Sequence, residues 1–190
     1  MEALVLVDLQ QDFFSEGPLA DLRPVLLERI NTLAKRAHEA GVPVFNVRTL
    51  HSHDRATWAL NMREDDQGLV IEGTPGAEPL HELDLGTAIE VVKTRDSAFF
   101  ETSLAAELRE RALSSFVLAG VSTEACIALT AADAYARDVR VTLAGDCIAS
   151  ADPAAHSQAL HWLKTQYRQP VVASHDIEIV DGRRVDREHQ

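Results

Sequence analysis

Short apolar runs alternate with longer amphipathic stretches along most of the chain. Ala3–Val7 is a continuous apolar run, which predicts a strand buried on both faces. Between Pro24 and Ala40 the residues Val25, Leu26, Ile30, Leu33, Ala34 and Ala37 recur at helical spacing, and Gly41 is a natural stop. Val42–Val47 predicts a second strand, with Pro43 near its start, where a missing donor is tolerated. Ala88–Val92 predicts a third strand ending at Lys93, followed by a helix from Thr102 or Ser103 to Ala112. Phe116–Ala119 predicts a fourth; Gly120 then turns the chain, and Ser122 or Thr123 caps a helix running past Cys126 to Arg137. Val139–Ala144 predicts a fifth strand, ending in Gly145-Asp146-Cys147. Asp152-Pro153 opens a helix reaching Tyr167, and Pro170–Ala173 predicts a sixth strand. Ile177–Val180 reads as a short edge strand and Asp181–Gln190 as a polar tail.

Strands alternating with helices predict a single α/β domain over residues 1–190: three α/β/α layers around a six-stranded parallel sheet with right-handed crossovers. The strand order is 3-2-1-4-5-6 or flavodoxin-like. In either order the ends of the first and fourth strands lie near a switch point, where open parallel sheets place their ligands.

One segment breaks the rhythm. From Arg48 to Gly86 the apolar period is lost, and His51, His53, Asp54, Arg55, Trp58, Asn61 and Arg63 accumulate. A long aperiodic stretch carrying such side chains suits a substrate rim or lid.

Composition narrows the chemistry. A net charge of −12 argues against nucleic acid, since phosphate binding needs a basic surface. No apolar run approaches the ~20 residues of a membrane span, and Met1–Val5 lacks the basic start of a signal peptide. Two cysteines make no disulfide framework, so a reduced, cytoplasmic setting is expected. There is no Gly-x-Gly-x-x-Gly after the first strand and no Walker motif, hence no nucleotide cradle and no expected cofactor.

Three reactive side chains occupy equivalent places: Asp8 after the first strand, Lys93 after the third, and Cys126 after the fourth. Together they offer a base, a cation and a nucleophile, the requirements of acyl transfer. A helix N-terminus beside Cys126 favours its thiolate, whereas Cys147 follows a strand without a helix start and reads as structural. A receiver-like signalling domain also carries an Asp and a Lys at strand ends. It expects its phosphorylated Asp after the third strand, where this chain has Lys93, and has no use for Cys126.

Val7-Asp8-Leu9-Gln10-Gln11-Asp12-Phe13, Lys93-Thr-Arg-Asp-Ser97-Ala-Phe99 and Gly120-Val-Ser-Thr123-Glu-Ala-Cys126 occur in the order that resembles the isochorismatase-like cysteine hydrolases. That group includes nicotinamidases, N-carbamoylsarcosine amidases and isochorismatases. The resemblance implies the Rossmann-like isochorismatase fold and a thioester on Cys126, with Asp8 moving the proton and Lys93 holding charge. It further implies a cis peptide at Val121–Ser122 and an oxyanion hole from the N–H groups of Ser122 and Cys126. Phe13 matches an aromatic pocket residue of the family; His51, Arg55, Trp58 and Phe99 are further substrate-binding candidates, with Arg55 pairing a substrate carboxylate.

Metal-dependent nicotinamidases carry Asp-x-His after the second strand, where this chain reads Thr49-Leu50-His51. No metal site is therefore expected, although His53 and Asp54 stand close to His51 in the chain. A small amide or ureide is the leading substrate class, with vinyl ether cleavage or metal-dependent nicotinamidase activity as alternatives. The expected partners are a small-molecule substrate and further copies of the chain, as a dimer or tetramer, with no nucleic acid and no membrane.

Overall fold

The computed structural model describes residues 2–179. Six parallel strands, β1 (Leu4–Val7), β2 (Val44–Thr49), β3 (Ile89–Lys93), β4 (Ser115–Gly120), β5 (Arg140–Ile148) and β6 (Val171–Val172), form one sheet in the order β3-β2-β1-β4-β5-β6. The helices are α1 (Gly17–Glu39), α2 (Leu60–Glu64), α3 (Leu104–Glu110), α4 (Ala128–Ala136) and α5 (Pro153–Gln166). Among the described residues no helix is long and apolar enough to cross a membrane.

The two-residue period of the strands sorts the core. Val5 and Val7 of β1 join Phe45, Val47, Phe116 and Leu118 under Leu104, Leu108, Ala131, Ala134 and Leu163 of α3, α4 and α5. Leu4 and Leu6 turn the other way, against Leu26, Leu27, Ile30, Leu33 and Ala37 of α1. Every residue of β1 is therefore buried, as its unbroken apolar run requires.

Several boundaries differ from the sequence pattern. Helix α1 begins at Gly17, so Pro24 lies inside it rather than at its start. Pro24 is on the exposed side, where its ring meets solvent instead of the core, and Leu19 extends the buried stripe about two turns earlier than Leu26. Strand β5 runs on through Gly145 and Asp146 to Ile148, so Cys147 lies within a strand. The turn-like Gly145-Asp146 serves tertiary packing: a Cβ at Gly145 would stand 2.7 Å from Val171 Cγ1, and the Asp146 carboxylate accepts from Ser174 N and Oγ. Strand β6 keeps only two residues. Ile177–Ile179 form no strand, and Val180 with the tail lies outside the described residues.

Asp152 caps α5 as its cap-then-proline signal predicts, accepting from Ala154 N and Ala155 N. Neither Ser122 nor Thr123 caps the helix after β4. Residues Thr123–Ile127 instead form a single wide π-type turn, closed by Ile127 N–H donating to Ser122 O at 3.2 Å, and α4 starts only at Ala128.

Gly120 lets β4 approach β1 at the switch point. Its φ is +120°, and a Cβ would stand 2.1 Å from Val7 O. Gly120→Ala should therefore cost about 3 kcal/mol or prevent folding, which urea unfolding measures. A loss below ~1 kcal/mol would contradict this account of the close approach.

Candidate active site

Three strand ends build the site. Val7 pairs with Val47 on one side and Gly120 on the other, while Thr49 and Lys93 are paired partners of β2 and β3. Asp8, one residue past β1, takes a left-handed φ of 57°, which turns its carboxylate toward β2. Its Oδ1 accepts from Thr49 N at 3.0 Å and Thr49 Oγ1 at 2.7 Å. Lys93 comes from β3, two strands away, and its long side chain crosses the end of β2. There Nζ donates to Thr49 Oγ1 at 2.7 Å, lies 2.8 Å from Asp8 Oδ2, and reaches Cys126 Sγ at 3.3 Å. Asp8 and Lys93 are each 1% exposed. Thr49 is thus the bridge between them, a role that no sequence motif signals.

The second carboxylate oxygen matters chemically. With Oδ1 saturated, Asp8 Oδ2 has only the ion pair and no aligned hydrogen bond among the described residues. That oxygen is the one free to take a proton.

Cys126 lies in the wide turn, and Val121–Ser122 just before it is cis. The thiol is pushed well up, first by burial and then by the Asp8 carboxylate, with the Lys93 ammonium working against both. The resting group is therefore a thiol, not the thiolate that a helix N-terminus was expected to favour. Lys93 is raised: burial works to lower it, but the charge of Asp8, together with the contacts to Asp8 and Cys126, outweighs burial. Cys147, enclosed within β5, is pushed up to about 12, mainly by burial.

Above Cys126 lies a cavity of about 610 Å³. Phe13, His51, Met62, Leu69, Val70, Phe100 and Leu129 line it together with Arg95, Asp96 and Cys126. The aperiodic segment forms its roof, with α2 and a 3₁₀ turn at Pro75–Ala77 inside it. Residues after β1 hold that roof. Buried Gln10 donates to Thr49 O and Ala77 O, each at 2.8 Å, and accepts from Thr49 N. Asp12 Oδ2 accepts from Val70 N at 2.7 Å, and Gly76 packs so close that a Cβ would meet the Asp12 carboxylate.

Phe13 and His51 are in the cavity wall; three other candidates are not. Trp58 is buried beneath the roof, donating Nε1–H to Ser52 O and packing on Gly68. Arg55 is half exposed, covers the Trp58 ring and pairs with Asp66 at 2.6 Å. Phe99 belongs to the core against Phe116, and its neighbour Phe100 faces the cavity instead.

His51 Nδ1–H donates to Thr57 O at 2.9 Å, which leaves Nε2 as an acceptor. Burial lowers its pKa, and the Arg95 and Lys93 charges add to this, so the ring is neutral at neutral pH. The residues around it do not fit a metal. Thr49 stands where a carboxylate is needed, His53 is exposed, and Asp54 is engaged by Ser52 Oγ and Ala56 N. Among the described residues no three His, Cys, Asp or Glu side chains gather as a metal site.

Fold and site together are those of an α/β/α hydrolase. The Isochorismatase domain model matches residues 2–176, and the chain belongs to the isochorismatase family. "Probable inactive nicotinamidase" from Arabidopsis thaliana is 33% identical over 166 residues, covering 82% of this chain and 84% of that protein. Maleamate amidohydrolase from Pseudomonas putida is 30% identical over 175 residues, covering 87% and 80%. The solved structure of N-carbamoylsarcosine amidase from Thermoplasma acidophilum superimposes with a TM-score of 0.79 at 25% identity, covering 93% and 98%.

The raised thiols set two pH dependences. Alkylation of Cys126 by iodoacetamide should be slower at pH 7 than for a free thiol and should climb steeply above pH 9, the ordinary thiol value. A rate that is already flat by pH 7 would show a resting thiolate. Because the folded state holds the Cys147 proton more tightly than the unfolded chain, its contribution is complete below pH 9 and fades toward about 12. Melting temperature should fall over that window, and Cys147→Ala should flatten the fall.

Proposed function

We propose that the protein hydrolyses a small amide or ureide C–N bond through a thioester on Cys126. The single observation behind this is the contact set at the cavity floor: Cys126 Sγ 3.3 Å from Lys93 Nζ, itself 2.8 Å from Asp8 Oδ2. The cysteine hydrolase resemblance and the amidases among the relatives support the reading.

In the proposed cycle Asp8 Oδ2 takes the thiol proton as sulfur attacks the substrate carbonyl carbon, forming the C–S bond. The oxyanion is held by the N–H groups of Ser122 and Cys126, both at the wide turn. The C–N bond then breaks, and Asp8 returns the proton to the departing amine. Water, losing a proton to Asp8, next attacks the thioester; the acid leaves and sulfur regains its proton. Lys93 stays paired with Asp8 between transfers and offsets charge that develops on sulfur. A nucleophilic sulfur at the floor favours acyl chemistry over vinyl ether cleavage, which calls for a proton donor rather than a nucleophile.

No metal takes part in this cycle, since the donor set around His51 does not fit one. The setting we propose is the cytoplasm, where Cys126 and Cys147 stay free, with the chain assembled as a homo-oligomer acting on small molecules.

Cys126→Ala should abolish ammonia release, a drop of about a thousandfold or more, with unfolding unchanged. Asp8→Asn and Lys93→Ala should each cost about a hundredfold or more, and the double variant little beyond the worse single. Multiplicative losses would mean that the two residues act independently. Exhaustive chelation should leave turnover intact; loss on chelation with recovery on Zn²⁺ or Fe²⁺ would overturn the metal-free cycle.

A further inference from the structure

We infer that the cavity selects amides that also carry a carboxylate, with Arg95 as the residue that binds it; this rests on the amidase reading above. Among the described residues Arg95 is the one permanent cation in the cavity wall. Its Nη1 is fixed by the carbonyls of Thr57 at 2.6 Å and Thr94 at 2.5 Å. None of the ion pairs among the described residues includes it. The other cation near the site, Lys93, is already neutralised by Asp8. A half-buried guanidinium held by backbone carbonyls, with no acid of its own, is a ready partner for a ligand carboxylate.

The rest of the wall orients such a ligand. Asp96 Oδ1 is 3.8 Å from Cys126 Sγ, so the nucleophile's side of the cavity repels an anion. A substrate with one neutral amide and one carboxylate is thereby turned with its amide toward Cys126 and its carboxylate toward Arg95. Hydrolysis then creates a second carboxylate beside Asp96 and Asp8, which favours release of the product. His51, neutral and with an acceptor at Nε2, neither competes for the carboxylate nor repels an amide N–H.

The test is direct binding to Cys126→Ala, which removes turnover, using malonamate, succinamate and glutaramate, each against its neutral diamide. The best of the acid amides should bind about tenfold to a hundredfold tighter than its diamide. Adding Arg95→Gln should bring the ratio near one while the diamide's affinity stays within about twofold, and Arg95→Lys should restore only part of it. Equal binding of acid amide and diamide, no binding of either, or parallel loss of both on Arg95→Gln would overturn the inference. Parallel loss would show that Arg95 only supports the segment at Thr57. If the unmodified enzyme binds the acid amide selectively but releases no ammonia, the amidase reading fails and the carboxylate site stands.

Discussion

The ion pair between Lys93 and Asp8 is the constraint around which the site is built. Two charges at 1% exposure carry a desolvation cost of several kcal/mol each. Their attraction offsets it only where the remaining polar atoms are satisfied. Thr49 supplies that satisfaction, donating twice to Asp8 Oδ1 and accepting from Lys93. Three adjacent strand ends must be in register for these contacts to exist, so the parallel pairing of β1, β2 and β3 is also the alignment of the site. Removing one partner leaves the other buried and unpaired, and stability and chemistry then fall together.

Strands β1 and β4 were readable because buried parallel strands are short apolar runs with almost no competing pattern. Asp8, Lys93 and Cys126 were readable as a group because each follows an apolar run. What the chain did not disclose is where a local rule meets a tertiary need. Pro24 looks like a helix start until Leu19 is seen to extend the buried stripe past it. Gly145-Asp146 looks like a strand stop until Asp146 is seen to bind Ser174. Phe99 and Phe100 are adjacent aromatics that face opposite ways, a distinction that composition cannot make. Arg55 and Arg95 are equally basic on paper; Asp66 takes the first, while the second stays in the cavity wall.

The roof shows how an aperiodic segment becomes ordered with only short pieces of regular hydrogen bonding, α2 and the turn at Pro75–Ala77. Its fixed points come from outside: Gln10 and Asp12, which follow β1, hold Thr49, Ala77 and Val70. Inside it, Trp58 is a large apolar anchor in addition to the buried Val70 and Leu80, with Gly68 against the indole. The residues holding the roof and the residue proposed as base therefore lie within five positions, Asp8 to Asp12. Any shift of that short stretch moves cavity and base as one.

Burial of Cys126 has a consequence for how reactivity is controlled. A thiol held well above its ordinary value is a poor nucleophile in the empty site, since only the thiolate attacks. It is also poorly oxidised, because oxidation follows thiolate character and access. Proton loss becomes favourable only when something compensates the charge, and the compensating groups are already in place: Lys93 at 3.3 Å and an Asp8 oxygen without an aligned hydrogen bond. A carbonyl bound at the wide turn would complete the set by accepting the electron pair as the proton leaves. Under the proposed cycle, proton transfer and attack are then linked, and the sulfur is activated by substrate rather than in advance of it. The same burial that protects the resting thiol thus confines its reactivity to molecules that fill the cavity and present a carbonyl to its floor.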